Sequence, residues 1–272
     1  MRAPALYLLP LACTLALTAC GGKDTPAASP DDTAAQSAAA PADKSATAAQ
    51  PSLPQPDLRK PLAEYRQLDS GQQVMLLYVA ASKLPPDFEK LAESYSRDYR
   101  TTSDTFRRRD LMQALKPQLE QGIAEAAAAP YVWMDIDDAE LQPYDFDRKG
   151  FTVGEFDANR RRWFNDGSDY KFTWNNPAQV QFAPVADEAV ARELEGMRGK
   201  WDNKPQLRVY FFAQSADLNA PLLKTSVTHV QLRDRSGRVL ASYSADQSQP
   251  GQPAAAEPCG TAEECALRDA GG

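Results

Sequence analysis

Two periodicities divide the middle of the chain. Over residues 57–129 apolar positions recur at helical spacing, and after Pro130 they recur at every second position. The run QVMLLYVAA at 73–81 is nearly all apolar, which predicts a helix buried on most sides. Pro85 and Pro86 end it, and Pro86 with Asp87 suits the first turn of a second helix. In that helix Phe88, Leu91, Ala92, Tyr95 and Tyr99 fall on one face. Ser103 or Asp104 can cap a third, in which Leu111, Leu115, Leu119 and Ile123 repeat every four residues. Pro117 interrupts that row and predicts a kink or a break at Lys116.

Beyond Pro130, Val132, Met134 and Ile136 alternate with Trp133 and Asp135. Phe172 pairs with Trp174, and Val180 with Phe182, in the same rhythm. Leu207, Val209, Phe211 and Ala213 alternate with Arg208, Tyr210 and Phe212. These are expected to be half-buried strands of an antiparallel sheet. A short helix at 187–198, opened by acidic residues that suit its N-terminal dipole, is inserted between two of them. Two last strands, 225–233 and 238–243, flank the turn Asp234-Arg235-Ser236-Gly237, where glycine supplies the positive φ of a tight hairpin. Helices first and strands later predict an α+β domain, with an N-terminal helical half packed on a C-terminal antiparallel sheet carrying one inserted helix. No internal repeat is present.

Both ends break these patterns. Arg2 precedes an apolar stretch at 5–17 that contains Pro10. It falls short of the ~20 apolar residues of a transmembrane helix, so residues 1–19 are expected to be a secretory signal peptide. Residues 21–56 are dominated by Ala, Pro, Ser, Thr and Asp, with Leu53 the only larger apolar residue. Such a segment cannot offset its conformational entropy by burial and is expected to form a disordered, extended tether over 20–56. The globular domain is then 57–245. The tail, 246–272, has tether-like composition, except that Cys259 and Cys265 bracket Gly-Thr-Ala-Glu-Glu.

Leu17-Thr18-Ala19-Cys20 resembles the lipobox of bacterial lipoproteins. The resemblance implies that the Cys20 thiol is diacylglycerated, the peptide is cut before it and the new amino group is acylated, so that palmitate-type chains hold the protein on a membrane. Gly21 rather than Asp after the cysteine implies, by the same resemblance, the periplasmic side of a Gram-negative outer membrane. An ordinary signal peptide cut elsewhere is the alternative. Of the four cysteines, the resemblance implies that Cys13 leaves with the signal peptide and that Cys20 is lipidated. Cys259 and Cys265 remain in an oxidising compartment, where a small structural disulfide is favoured. Their spacing is not C-x-x-C and no histidine lies nearby, which weakens a redox or metal reading.

As a tripartite chain the sequence is similar to proteobacterial envelope lipoproteins that carry a domain of unknown function. The strings behind this are SGQQ at 70–73, LPPDF at 84–88, TTSDTF at 101–106 and DRSGRVL at 234–240. The resemblance implies location and domain limits over 57–244, and no activity.

Composition narrows the picture further. The 272 residues hold 30 basic and 37 acidic side chains, a net charge of -7, with 43% hydrophobic residues. Those values exclude a purely disordered protein and a polytopic membrane protein, and a pI near 4.9 with a mean hydropathy of -0.52 argues against a nucleic-acid partner.

Candidate chemistry is sparse. His229 is the one histidine; it is placed on a strand face with Val227, Gln231 and Arg233, without a G-x-S-x-G or reactive cysteine, and reads as a bystander. Zinc lacks ligands. Asp145-Phe146-Asp147-Arg148-Lys149-Gly150 opens like an EF-hand loop, but Lys149 at position five and Phe156 at position twelve exclude it. Asp135, Asp137 and Asp138 could hold a hard cation or form a carboxylate pair, although solvated residues at a strand end are favoured. Arg107-Arg108-Arg109 reads as a solvated face. The most suggestive group is Arg160-Arg161-Arg162-Trp163-Phe164-Asn165-Asp166-Gly167. There Arg161, Arg162, Trp163, Asn165 and Asp166 are the candidate ligand or partner surface, fit for a sugar ring, an anionic headgroup or a protein anchor. The favoured reading, however, is a strand that carries Trp163 and Phe164 into the core while the arginines pair with acidic neighbours.

No residue is assigned to catalysis, to a cofactor or to a metal. Three functions stay open: a non-catalytic binding or scaffolding lipoprotein with an envelope protein or glycan partner, an inhibitor or immunity lipoprotein acting on a lytic enzyme, and an envelope-glycan hydrolase using Asp/Glu pairs. Oligomeric state is open as well.

Overall fold

Ser70 ends an extended approach and starts helix α1 (Gly71–Ser82) by accepting a hydrogen bond from the Gln73 N–H. No residue of α1 is exposed, as its apolar run requires. The structure is a computed structural model and describes residues 53–246 except Ala158 and Ser168. The signal peptide, Cys20, the tether up to residue 52 and the Cys259/Cys265 loop lie outside the described residues.

Side-chain caps set the other helix boundaries. Asp87 caps α2 (Phe88–Tyr95), and Ser96 both ends α2 and caps α3 (Arg97–Thr101), so the single face read through Tyr99 is carried by two helices. Asp104 caps α4 (Thr105–Ala128), its carboxylate accepting from the N–H groups of Phe106 and Arg107. The break expected at Lys116 does not occur: α4 runs through Pro117. The proline is on the exposed side, where the carbonyl deprived of its partner can turn to water. At its far end α4 is closed by Arg66, whose guanidinium donates to the carbonyls of Glu125 and Ala129.

The strands, in chain order, are β1 (Arg66–Gln67), β2 (Tyr131–Ile136), β3 (Gly150–Thr152), β4 (Lys171–Trp174), β5 (Phe182–Pro184), β6 (Gln206–Asp217), β7 (Leu222–Arg233) and β8 (Val239–Ser244). Two further helices, α5 (Pro177–Val180) and α6 (Glu188–Arg198), lie among them, the second capped by Asp187. The architecture is α+β: six strands form one sheet in the order β1-β2-β6-β7-β4, with β8 also on β7. The sheet is mixed, because β1 on β2 and β4 on β7 run parallel while the remaining pairs are antiparallel. Val180 is not in a strand. Pro177 starts a helical turn that ends at Val180, and Phe182 belongs to β5, which pairs with β3 in a separate small sheet.

One face of the large sheet is the core. Val132, Leu207, Val209, Phe211, Val227, Val230 and Leu232 are all at most 2% exposed, and α1 packs against β6, β7 and β4. Burying each such side chain stabilises the fold by about 1.5–3 kcal/mol. The far edge of β7 is shared. β4 covers Leu222–Thr225 and β8 covers His229–Arg233. Between them the Asn176 side-chain amide donates to the Val227 carbonyl and accepts from its N–H, both at 2.8 Å. An amide side chain thus replaces one rung of the ladder where neither strand reaches.

Candidate binding surfaces

The Arg160–Gly167 stretch is divided between the interior and solvent. Arg162 pairs through its backbone with Phe172, N–H to carbonyl in both directions at 2.9 Å. This turns its side chain inward onto Glu155, a carboxylate only 4% exposed. Arg160 reaches the same carboxylate at 3.0 Å. Burial lowers the Arg162 pKa, and the hydrogen bond that its guanidinium donates to Glu155 opposes that shift. Asp166 accepts a hydrogen bond from the Gly71 N–H at 2.9 Å and so satisfies a free donor at the start of α1. Phe164 stacks on Phe172. Arg161, Trp163 and Asn165 point outward; Trp163 is 53% exposed with the Lys171 ammonium 5.4 Å from its ring. Of the five candidate residues, then, Arg162 and Asp166 hold the fold together, and three remain on the surface. Trp163 does not enter the core, because the alternation gives the inward position to its neighbour Phe164.

The other sheet face was not recognised in the sequence as a surface, and it carries the denser set of polar and aromatic groups. Cross-strand register places Trp133 opposite Tyr210 and Asp135 opposite Arg208. Arg208 makes a two-pronged ion pair with Asp135, 2.8 Å on each oxygen, and lies 3.8 Å over the Trp133 ring. The bond to Asp135 raises the Arg208 pKa. Gln231 faces the Tyr210 hydroxyl at 3.5 Å, and Arg233 approaches Asp135 at 3.8 Å. Each of these side chains alternates in sequence with a core residue. What could not be read was which residues on different strands stand side by side.

His229 belongs to this outer face with Gln231 and Arg233, but Val227 does not. Tyr210 pairs with His229 and Phe211 with Val227, so Thr228 is an extra residue in β7, and the bulge sends Val227 into the core. The buried Nδ1 of His229 has no hydrogen-bond partner. Burial lowers its pKa, against a raising influence from Asp246. The three aspartates do not converge. Asp135 is held by Arg208, Asp137 accepts from Gln206 at 2.6 Å and Asp138 pairs with Arg235 at 2.5 Å. Among the described residues no group of three His, Cys, Asp or Glu side chains could hold a metal ion. Arg108 of the basic run pairs with Glu89 and Glu93.

A separate cleft of about 350 Å³ lies between α6 and the 144–149 turn, walled by Tyr144 and Phe146 over Ala191. The two carboxylates on it, Glu188 and Glu195, are ion-paired with Arg192 and Arg198. Among the described residues no helix is long and apolar enough to cross a membrane. No family model matches the chain, and no curated protein or solved structure matches it.

Proposed function

We propose that the chain is a lipid-anchored envelope lipoprotein whose α+β domain is a non-catalytic binding module and presents the outer face of its sheet to a protein or glycan of the envelope. The observation that carries this reading is the Trp133–Arg208–Asp135 arrangement, in which Trp133 and Arg208 are half-buried and Asp135 is exposed, beside Tyr210, Gln231 and His229. An aromatic side chain and pre-oriented polar groups on a rigid strand pair suit recognition: little side-chain entropy remains to be lost on binding. The anchor rests on the Leu17-Thr18-Ala19-Cys20 string alone. Photo-crosslinking from position 133 in envelope extracts tests the binding face. The expected product is one discrete adduct that Arg208→Ala abolishes. A ladder of adducts unchanged by Arg208→Ala overturns the reading.

A further inference from the structure

The same outer face is occupied at its other end by the chain itself. Residues 53–57 cross it without helix, strand or turn. They are held by two backbone contacts: Gln214 Nε2 donates to the Pro54 carbonyl at 2.9 Å, and the Asp57 N–H donates to the Tyr131 hydroxyl at 2.8 Å. A polyproline II segment has three residues per turn, so positions 54 and 57 present the same side. The local sequence, Leu53-Pro54-Gln55-Pro56-Asp57, suits that conformation through the fixed φ of its two prolines.

The receiving surface is built for this. The register of β6 shifts between Ala213 and Ser215, and this irregularity leaves Gln214 outside the regular pairing with β7. Its carbonyl oxygen is held by Asn175 Nδ2 at 2.6 Å, which fixes the amide so that its NH2 faces the crossing segment. With the segment in place Gln214 is 9% exposed, and the Asn175 bond orients its amide. Beside it Tyr131 and Phe212 form a ring pair 4.9 Å apart, and Tyr65 closes on Tyr131 at 5.3 Å. Adjacent aromatic rings plus a fixed donor to a proline carbonyl are the means by which proteins grip proline-rich ligands.

We infer that the Tyr131–Phe212–Gln214 surface is a docking site for an extended Pro-x-Pro-Asp segment of a partner protein, with residues 54–57 as its resident occupant. The partner displaces a segment held by two hydrogen bonds, so the site is closed in the free protein and opens by exchange. The inference rests on the binding-face reading but uses different residues from Trp133 and Arg208, so either can fail without the other.

The test uses the full chain with Pro54→Gly, Pro56→Gly and Asp57→Gly combined, and a fluorescein-labelled peptide of sequence QPSLPQPDL, which copies residues 50–58. Anisotropy titration is expected to show binding to this variant at least tenfold tighter than to the wild-type chain. Adding Gln214→Ala should cancel the gain, and a peptide with its prolines replaced by alanine should not bind. Three results overturn the inference: no binding to the folded variant, equal binding of the alanine peptide, or a strap-exchanged dimer by size-exclusion chromatography. Should the triple variant fail to fold, limited proteolysis of Gln214→Ala decides. Cleavage within 53–57 is expected to accelerate at least fivefold over an intact core, and an unchanged rate overturns the inference.

Discussion

The backbones of Gly71 and Gly167 meet so closely that a Cβ on Gly71 would stand 2.4 Å from the Gly167 Cα. One on Gly167 would stand 2.7 Å from the Gly71 Cα. The first turn of α1 is thereby pressed against the loop that brings Asp166 onto the Gly71 N–H. The two glycines are far apart in sequence, and each is required by the other.

Gly167→Ala is expected to destabilise the domain by about 1–3 kcal/mol, because backbone rather than a flexible side chain must yield. Gly71→Ala should cost a similar amount, and the double variant less than the sum, since one separation of the two backbones relieves both contacts. Urea denaturation of the four proteins measures this. Full additivity would show that the glycines act independently.

Glu155 and Arg162 make the second test. Glu155→Gln should cost about 3 kcal/mol, as it leaves the inward Arg162 guanidinium without its counter-charge. Arg162→Met added to Glu155→Gln should recover most of that loss, because the pair is then replaced by groups that do not need each other. If the double variant is no more stable than Glu155→Gln alone, Arg160 rather than Arg162 is the partner that matters.

These two contacts mark where the sequence stops being legible. The start of α4 was readable because Asp104 acts locally, on N–H groups two and three residues ahead. Ser70, Asp87 and Asp187 cap in the same local way, but the pattern alone placed the two aspartates inside their helices and began the first helix at Gln73. The core face of β6 was readable from its period of two. Gly71 with Gly167, and Trp133 with Arg208, are brought together by register and tertiary packing, which leave no local spacing to count. Pro117 misled for a related reason: its effect depends on which side of α4 meets water, and that is decided by α1. Through 160–167 the sequence reading sent both Trp163 and Phe164 inward, whereas only Phe164 turns in and Trp163 stays in solvent. Nor did any spacing reveal that Asp166 would be used by a helix start almost a hundred positions earlier.

Asn176 gives a prediction about the sheet. Asn176→Ala removes both partners of the buried Val227 backbone and is expected to cost about 2 kcal/mol. Asn176→Asp should cost at least as much, since a carboxylate oxygen would then face the Val227 carbonyl. Hydrogen exchange at the Val227 amide is the readout. It should accelerate in both variants, and protection equal to wild type would mean that β4 and β8 hold this edge without the side chain.

His229 sets the pH dependence near neutrality. Its folded pKa is lowered, chiefly by burial and in part restored by Asp246, so the unfolded chain binds the proton more readily than the native one. Stability linked to this group is therefore fully present above the ordinary histidine pKa of about 6.5 and is lost as pH falls through and below that value. The charged imidazole would sit on the outer sheet face beside Tyr210 and across from Ser244, with the Arg233 guanidinium further along the same strand. Only Asp246 favours the proton. His229→Gln keeps a polar side chain on that face and removes the titration. Urea midpoints measured from pH 7.5 down to pH 5.5, above the range where most carboxylates protonate, should fall for the wild-type chain and stay nearly level for His229→Gln. A wild-type midpoint that rises on acidification would reverse the sign and show that Asp246, not burial, governs this histidine.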